Sequence, residues 1–137
     1  MELLRLIGLF TLLGLLASCV STPSGDAALS QRLAGKWSGI HDNRDYSARI
    51  EDTTELHPDG TFERRGAIHD STGIRRYTDH GTWRVANGYF RQTIRSSTYP
   101  GLVPKVEIAQ HIEAVTDWEW VMQIDTGRQI KYWRYPE

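Results

Sequence analysis

From Lys36 onward the chain alternates apolar and polar positions with a period of two, broken at short intervals by turn residues. Between residues 48 and 56, Ala48, Ile50, Thr54 and Leu56 fall on one side and Arg49, Glu51, Thr53 and Glu55 on the other, the pattern of a half-buried strand. The same alternation places Val106, Ile108, Ile112 and Ala114 together, then Trp118, Trp120, Met122 and Ile124, then Ile130 and Tyr132. Eight strands follow, approximately 36–41, 46–57, 61–68, 74–85, 89–98, 105–115, 118–124 and 128–135. Pro58-Asp59-Gly60, Asn87-Gly88 and Asp125-Thr126-Gly127 supply residues that accept a positive φ, so consecutive strands are joined by tight hairpins and run antiparallel. Two prolines in 100–104 mark a longer loop. Before the strands, Leu29 and Leu33 share one face of a short helix over residues 27–34, with Asp26 as its cap and Gly35 as its stop. Eight strands with one apolar face each must hide that face in common. A closed barrel does so while removing both sheet edges. The predicted fold class is therefore all-β: a small eight-stranded antiparallel up-and-down barrel preceded by one short helix.

The N-terminal segment follows a different pattern. Arg5 precedes an apolar run, Leu6 to Ala17, interrupted only by Gly8, Thr11 and Gly14. A spanning helix needs about 20 apolar residues, so this run reads as the core of a cleaved signal peptide. It ends in Leu16-Ala17-Ser18-Cys19, which resembles the lipobox of bacterial lipoproteins. The resemblance implies cleavage after residue 18, a diacylglycerol thioether on Cys19 and acylation of the new amine. Val20 in place of Asp then implies transfer to the outer membrane, facing the periplasm. Residues 19–26 are small and polar and read as a tether, leaving the domain to residues 27–137. Cys19 is the only cysteine, so the domain has no internal disulfide and stands on packing.

Composition narrows the function classes. Sixteen basic residues against seventeen acidic give a net charge of -1, without the basic excess that phosphate recognition requires, so nucleic acid is not an expected partner. Histidines 41, 57, 69, 80 and 111 stand singly, each more readily a solvated surface residue than a metal ligand, and no metal or cofactor is expected. The cysteine is assigned to anchoring and no serine sits in a Gly-x-Ser-x-Gly elbow, so the expectation is binding and not catalysis.

Leu33-Ala34-Gly35-Lys36-Trp37 resembles the Gly-x-Trp opening of lipocalins and their calycin relatives. Leu56-His57-Pro58-Asp59-Gly60-Thr61-Phe62, Gly81-Thr82-Trp83 and Asn87-Gly88-Tyr89-Phe90 resemble small bacterial lipocalin-like domains. The resemblance implies an eight-stranded barrel able to hold a hydrophobic ligand, with Trp37 of the first strand covered by Arg134 of the last as a structural pair. Polar residues interrupt the inward apolar series at Asp52, Arg64, Gln92, Gln110 and Arg134. With the aromatics Tyr77, Trp83 and Tyr132, the residues Arg64, Gln92, Gln110 and Arg134 form the candidate ligand lining. The same polar residues are also explained by a bulge that reverses the facing, or by an internal ion pair such as Asp52 with Arg64. Two function classes stay open: a binder of a small hydrophobic molecule, and an envelope protein that binds or inhibits a protein partner through a barrel with a filled lumen.

Overall fold

The computed structural model describes residues 25–43, 47–99, 101, 104–124 and 127–136. The expected signal peptide, Cys19 and the expected tether up to residue 24 lie outside the described residues. One helix, α1 (Gly25–Leu33), precedes eight strands: β1 (Gly35–Asn43), β2 (Ala48–Leu56), β3 (Thr61–Asp70), β4 (Gly73–Ala86), β5 (Tyr89–Ser97), β6 (Glu107–Val115), β7 (Glu119–Gln123) and β8 (Gln129–Arg134). Each strand pairs antiparallel with the next, and β8 returns to β1 to close the barrel. Asn87 (φ 55°) and Gly88 (φ 75°) turn β4 into β5, as their tolerance of left-handed backbone leads one to expect.

Four details differ from the sequence reading. The helix begins at Gly25, so Gly25 and Asp26 belong to α1 and not to the tether. Asp26 does not cap its own helix from outside; its carboxylate accepts the backbone N–H groups of Asn87 at 2.8 Å and Gly88 at 3.0 Å, fastening α1 to the β4–β5 turn. In β6 the register with β7 shifts between Ile112 and Ala114. The extra residue turns Ala114 outward and Val115 inward, while Val106 lies before the strand and is exposed. Trp118 also leaves the core: it sits in the β6–β7 turn, 75% exposed, where Thr116 Oγ1 accepts the N–H groups of Trp118 and Glu119 at 3.3 and 2.9 Å.

The strand order places the turns at 57–60, 87–88 and 116–118 at one end of the barrel, together with α1. This helix end is filled by aromatic rings. Trp120 meets Trp37, Phe90 and Tyr132 at centroid distances of 5.8, 4.8 and 5.0 Å, and Phe90 stacks on Trp83 at 6.1 Å. Leu33 of α1 packs into the same cluster, fully buried. Trp37 Nε1 donates to the Leu33 carbonyl at 2.7 Å. The Arg134 guanidinium lies 3.9 Å from the Trp37 ring centre and donates to the carbonyls of Ala34 at 2.8 Å and Arg32 at 2.7 Å. A smaller apolar cluster, Ala48, Ile50, Ile68 and Tyr77 with Tyr99 against it, occupies the far end.

Closure is narrow. β1 and β8 pair from Trp37↔Arg134 to Gly39↔Tyr132. Beyond Gly39 a cavity of about 380 Å³ lies against both strands, lined by Ile40, His41, Arg128, Ile130 and Trp133 among others, and Arg128 donates to the Asp42 carbonyl at 2.6 Å beside it.

Candidate functional site

Between the aromatic helix end and the small far-end cluster lies a polar layer built around Asp52. Register aligns Tyr132 of β8, Gly39 of β1, Asp52 of β2, Gly66 of β3 and Tyr77 of β4 as consecutive pairs. The two glycines create this row. A Cβ on Gly39 would lie 2.6 Å from Tyr132 Cε1, and one on Gly66 would lie 2.4 Å from Tyr77 Cζ, so both rings lie flat against bare backbone. In that position both hydroxyls donate to the same oxygen, Asp52 Oδ2, at 3.5 Å from Tyr77 and 3.4 Å from Tyr132. The other oxygen, Oδ1, is shielded from water and has no hydrogen-bond partner.

Burial raises the Asp52 carboxyl above its ordinary range, against the opposing pull of Arg64, His41 and the two tyrosine hydroxyls. Burial likewise raises the phenols of Tyr77 and Tyr132, and the neighbouring Asp52 charge adds to the effect, so both remain hydrogen-bond donors. His41, next but one to Gly39 on β1, is lowered by burial, more than the Asp52 charge raises it; its Nδ1 is buried without a partner.

Arg64 of β3 forms the second half of the layer. It donates to Thr54 Oγ1 at 3.1 Å and to Gln92 Oε1 at 2.6 Å, and pairs with Asp79 at 3.6 Å. Burial alone would lower the guanidinium, but the surrounding Tyr132, Asp52, Tyr77 and Asp79 raise it on balance, so it stays charged. Asp79 is held on its other oxygen by the Ser97 hydroxyl, which also accepts the Tyr99 N–H at 2.8 Å. The charged partner of Arg64 is thus Asp79, so Arg64 does enter an internal ion pair, with Asp79 in the place for which Asp52 was the example. The salt-bridged side chains are 14% and 3% exposed, a degree of burial that a charge tolerates only with such partners.

Of the seven candidate ligand-lining residues, the structure gathers Arg64, Gln92, Tyr77 and Tyr132 into this layer. Trp83 belongs to the aromatic helix end, where its Nε1 donates to the His57 carbonyl at 3.0 Å. Gln110 is half-buried on β6, its Oε1 without a partner. Arg134 lies over Trp37 at the helix end, apart from this layer. Sequence reasoning missed Asp79, Thr54 and His41. Asp79 could have been found, because it shares the alternation of Tyr77, Gly81 and Trp83 along β4. Of the histidines, His41 is not a solvated surface residue. Among the described residues no three His, Cys, Asp or Glu side chains converge as a metal site.

No family model matches the chain, and no curated protein does. Among solved structures it is similar to a lipocalin-like protein from Bacteroides uniformis, at 12% identity and a TM-score of 0.51, over 76% of this chain and 99% of that one. It also aligns with a de novo designed fluorescence-activating β-barrel at 18% identity and a TM-score of 0.47, over 77% and 96% of the two chains. The first likeness shows the fold: a lipocalin-like, eight-stranded closed barrel with one short helix.

Proposed function

We propose that this chain is a lipoprotein of the cell envelope, held through Cys19 at the periplasmic face of the outer membrane, whose barrel binds a small, largely apolar molecule and performs no chemistry. The observation that carries the binding reading is the asymmetry of the lumen. The helix end is filled with interlocked rings, whereas the buried apolar cluster that the described residues form at the far end, above a polar layer, is Ala48, Ile50, Ile68 and Tyr77 with Tyr99 against it. That layer keeps a carboxyl 5% exposed with one oxygen unpartnered, an arrangement that costs stability and that a purely structural core has no reason to retain. A few polar groups beneath an apolar collar orient a ligand. Asp52 and Arg64 are each fastened to partners, which suits orientation better than proton transfer in concert. Titrating the chain with fatty acids or an environment-sensitive apolar probe should change tryptophan emission, through Trp120 stacked on Tyr132. No change at micromolar probe would refute the small-ligand reading. One observation favours the protein-partner reading instead: the ring-filled helix end behind an exposed Trp118. Native mass spectrometry of the protein from its own envelope separates the two by the mass that travels with it. Labelled palmitate should be incorporated by the wild type and not by Cys19→Ser; an unlabelled wild type would remove the lipoprotein reading.

A further inference from the structure

The helix end carries an exposed aromatic surface that the barrel itself does not use. Trp118 projects from the β6–β7 turn, and Tyr135 follows β8 at the same end, half exposed. Between them runs a groove of about 770 Å³ lined by Lys36, Glu55, Asp117, Trp118, Arg134 and Tyr135 among others. The Lys36 ammonium lies 4.4 Å over the Tyr135 ring. Aromatic rings with a polar edge, beside a long-stemmed cation, match the interface of a bilayer, where the ring lies among the headgroups and the ammonium reaches water.

The position of the tether selects the occupant. α1 starts at Gly25, beside the Asn87–Gly88 turn to which Asp26 is fastened, and ends beside Val115 and Arg134, so it crosses the same end that carries Trp118. Cys19 precedes Gly25 by six residues, a reach of about 20 Å at most. An acylated Cys19 therefore holds this end, and not the far end, close to the lipid. The charges around the groove are balanced: Lys36 and Arg134 against Glu55 and Asp117. Attraction to this surface is consequently aromatic and interfacial, without a requirement for anionic lipid.

We propose that the helix end of the barrel is a membrane-docking face, with Trp118 and Tyr135 seated in the headgroup layer of the bilayer that holds the Cys19 acyl chains. The proposal rests on the lipoprotein reading above. It points the far end, with the polar layer beneath it, away from the lipid and toward the aqueous phase.

The test uses the full lipidated chain in vesicles of brominated phosphatidylcholine, prepared with and without phosphatidylglycerol, and compares the wild type with Trp118→Phe. Trp37, Trp83 and Trp120 are buried and Trp133 lies on the outer wall of β8, so the difference between the two chains reports Trp118. Brominated lipid should quench the wild type more than Trp118→Phe, equally in both lipid mixtures, and iodide in the water should quench both chains alike. Equal quenching of the two chains by brominated lipid overturns the proposal. So does a Trp118 component open to iodide, or one shielded from both quenchers in intact envelopes, which would mean a protein covers it. If the chain takes up labelled palmitate and still shows any of these results, the docking face fails and the lipoprotein reading stands. A chain that takes up no label and leaves vesicles in the supernatant overturns both.

Discussion

Asp52 is a buried acid whose protonated form the fold favours, and this sets the sign of its contribution to stability. Its folded pKa lies above the ordinary 3.8, so the stabilisation it gives is complete below that value and is lost as pH rises through the folded value. Ionising the side chain within the fold is therefore a cost. Asp52→Asn keeps an acceptor for the Tyr77 and Tyr132 hydroxyls while removing the buried charge. It should therefore raise neutral-pH stability and flatten the pH dependence between neutral pH and the carboxylate range. Urea unfolding across that interval checks both, and a variant less stable than the wild type at neutral pH would contradict the argument. The glycines beside it make a steric prediction. Gly66→Ala places a methyl 2.4 Å from Tyr77 Cζ and should cost about 1 to 3 kcal/mol, whereas in a Tyr77→Ser background the same change should cost much less. Additive costs in that double-mutant cycle would mean that the ring and the glycine are not coupled. The inward facing of Asp52, Arg64 and Gln92 was legible because each interrupts an apolar series at period two. The glycine row was not, since a bare position inside a strand reveals nothing of which ring crosses it until the register is known.

Among the elements, α1 is too short to be stable in isolation and is held by what it touches. Leu33 enters the ring cluster, Asp26 holds the Asn87–Gly88 turn, and Arg134 holds the carbonyls at its other end. Asp26→Ala removes both bonds to the turn and should cost about 1 to 2 kcal/mol, with faster amide exchange at Asn87 and Gly88 as the local signature. Trp37→Ala removes a fully buried ring, the ceiling of that cluster and the platform of Arg134, and should cost about 3 to 5 kcal/mol in chemical unfolding. A loss below about 2 kcal/mol would show that the helix end repacks around the gap. The number and order of the strands were legible from alternation and turn chemistry alone. Their exceptions were not. The bulge in β6 adds one residue without a glycine or proline to mark it, so Ala114 was placed on the wrong side, while Val106 was drawn into a strand that begins one residue later. Trp118 was drawn into a strand by its apolar character, where the hydrogen bonds of Thr116 in fact hold it in a turn. Asp26 looked like an ordinary cap because its partner lies 61 residues away in the chain.

At the scale of the whole molecule, the two ends of the barrel are built from different material: interlocked rings behind a helix at one, small aliphatics over a buried polar layer at the other. On the function proposed above, binding and anchoring fall at opposite ends, and Asp52→Asn and Trp118→Phe should separate them, each altering one without the other. The three-rung seam between β1 and β8 bears on how the molecule assembles. Trp37 and Arg134 are paired across nearly the full length of the domain, so the ring of strands closes only when the last one arrives. Until then β1 and β7 each present an unpaired edge, and a chain delivered from its N-terminus through a membrane holds seven strands in that state while the eighth is still in transit. Refolding of the denatured chain should accordingly occur in milliseconds to seconds, as for other folds dominated by distant contacts. Ser38→Pro, which removes a backbone donor from β1 within the span that pairs β8, should slow it more than a proline placed after β8. On the lipoprotein reading proposed above, export of such a chain favours a holdase that shields those edges for the duration of the delay.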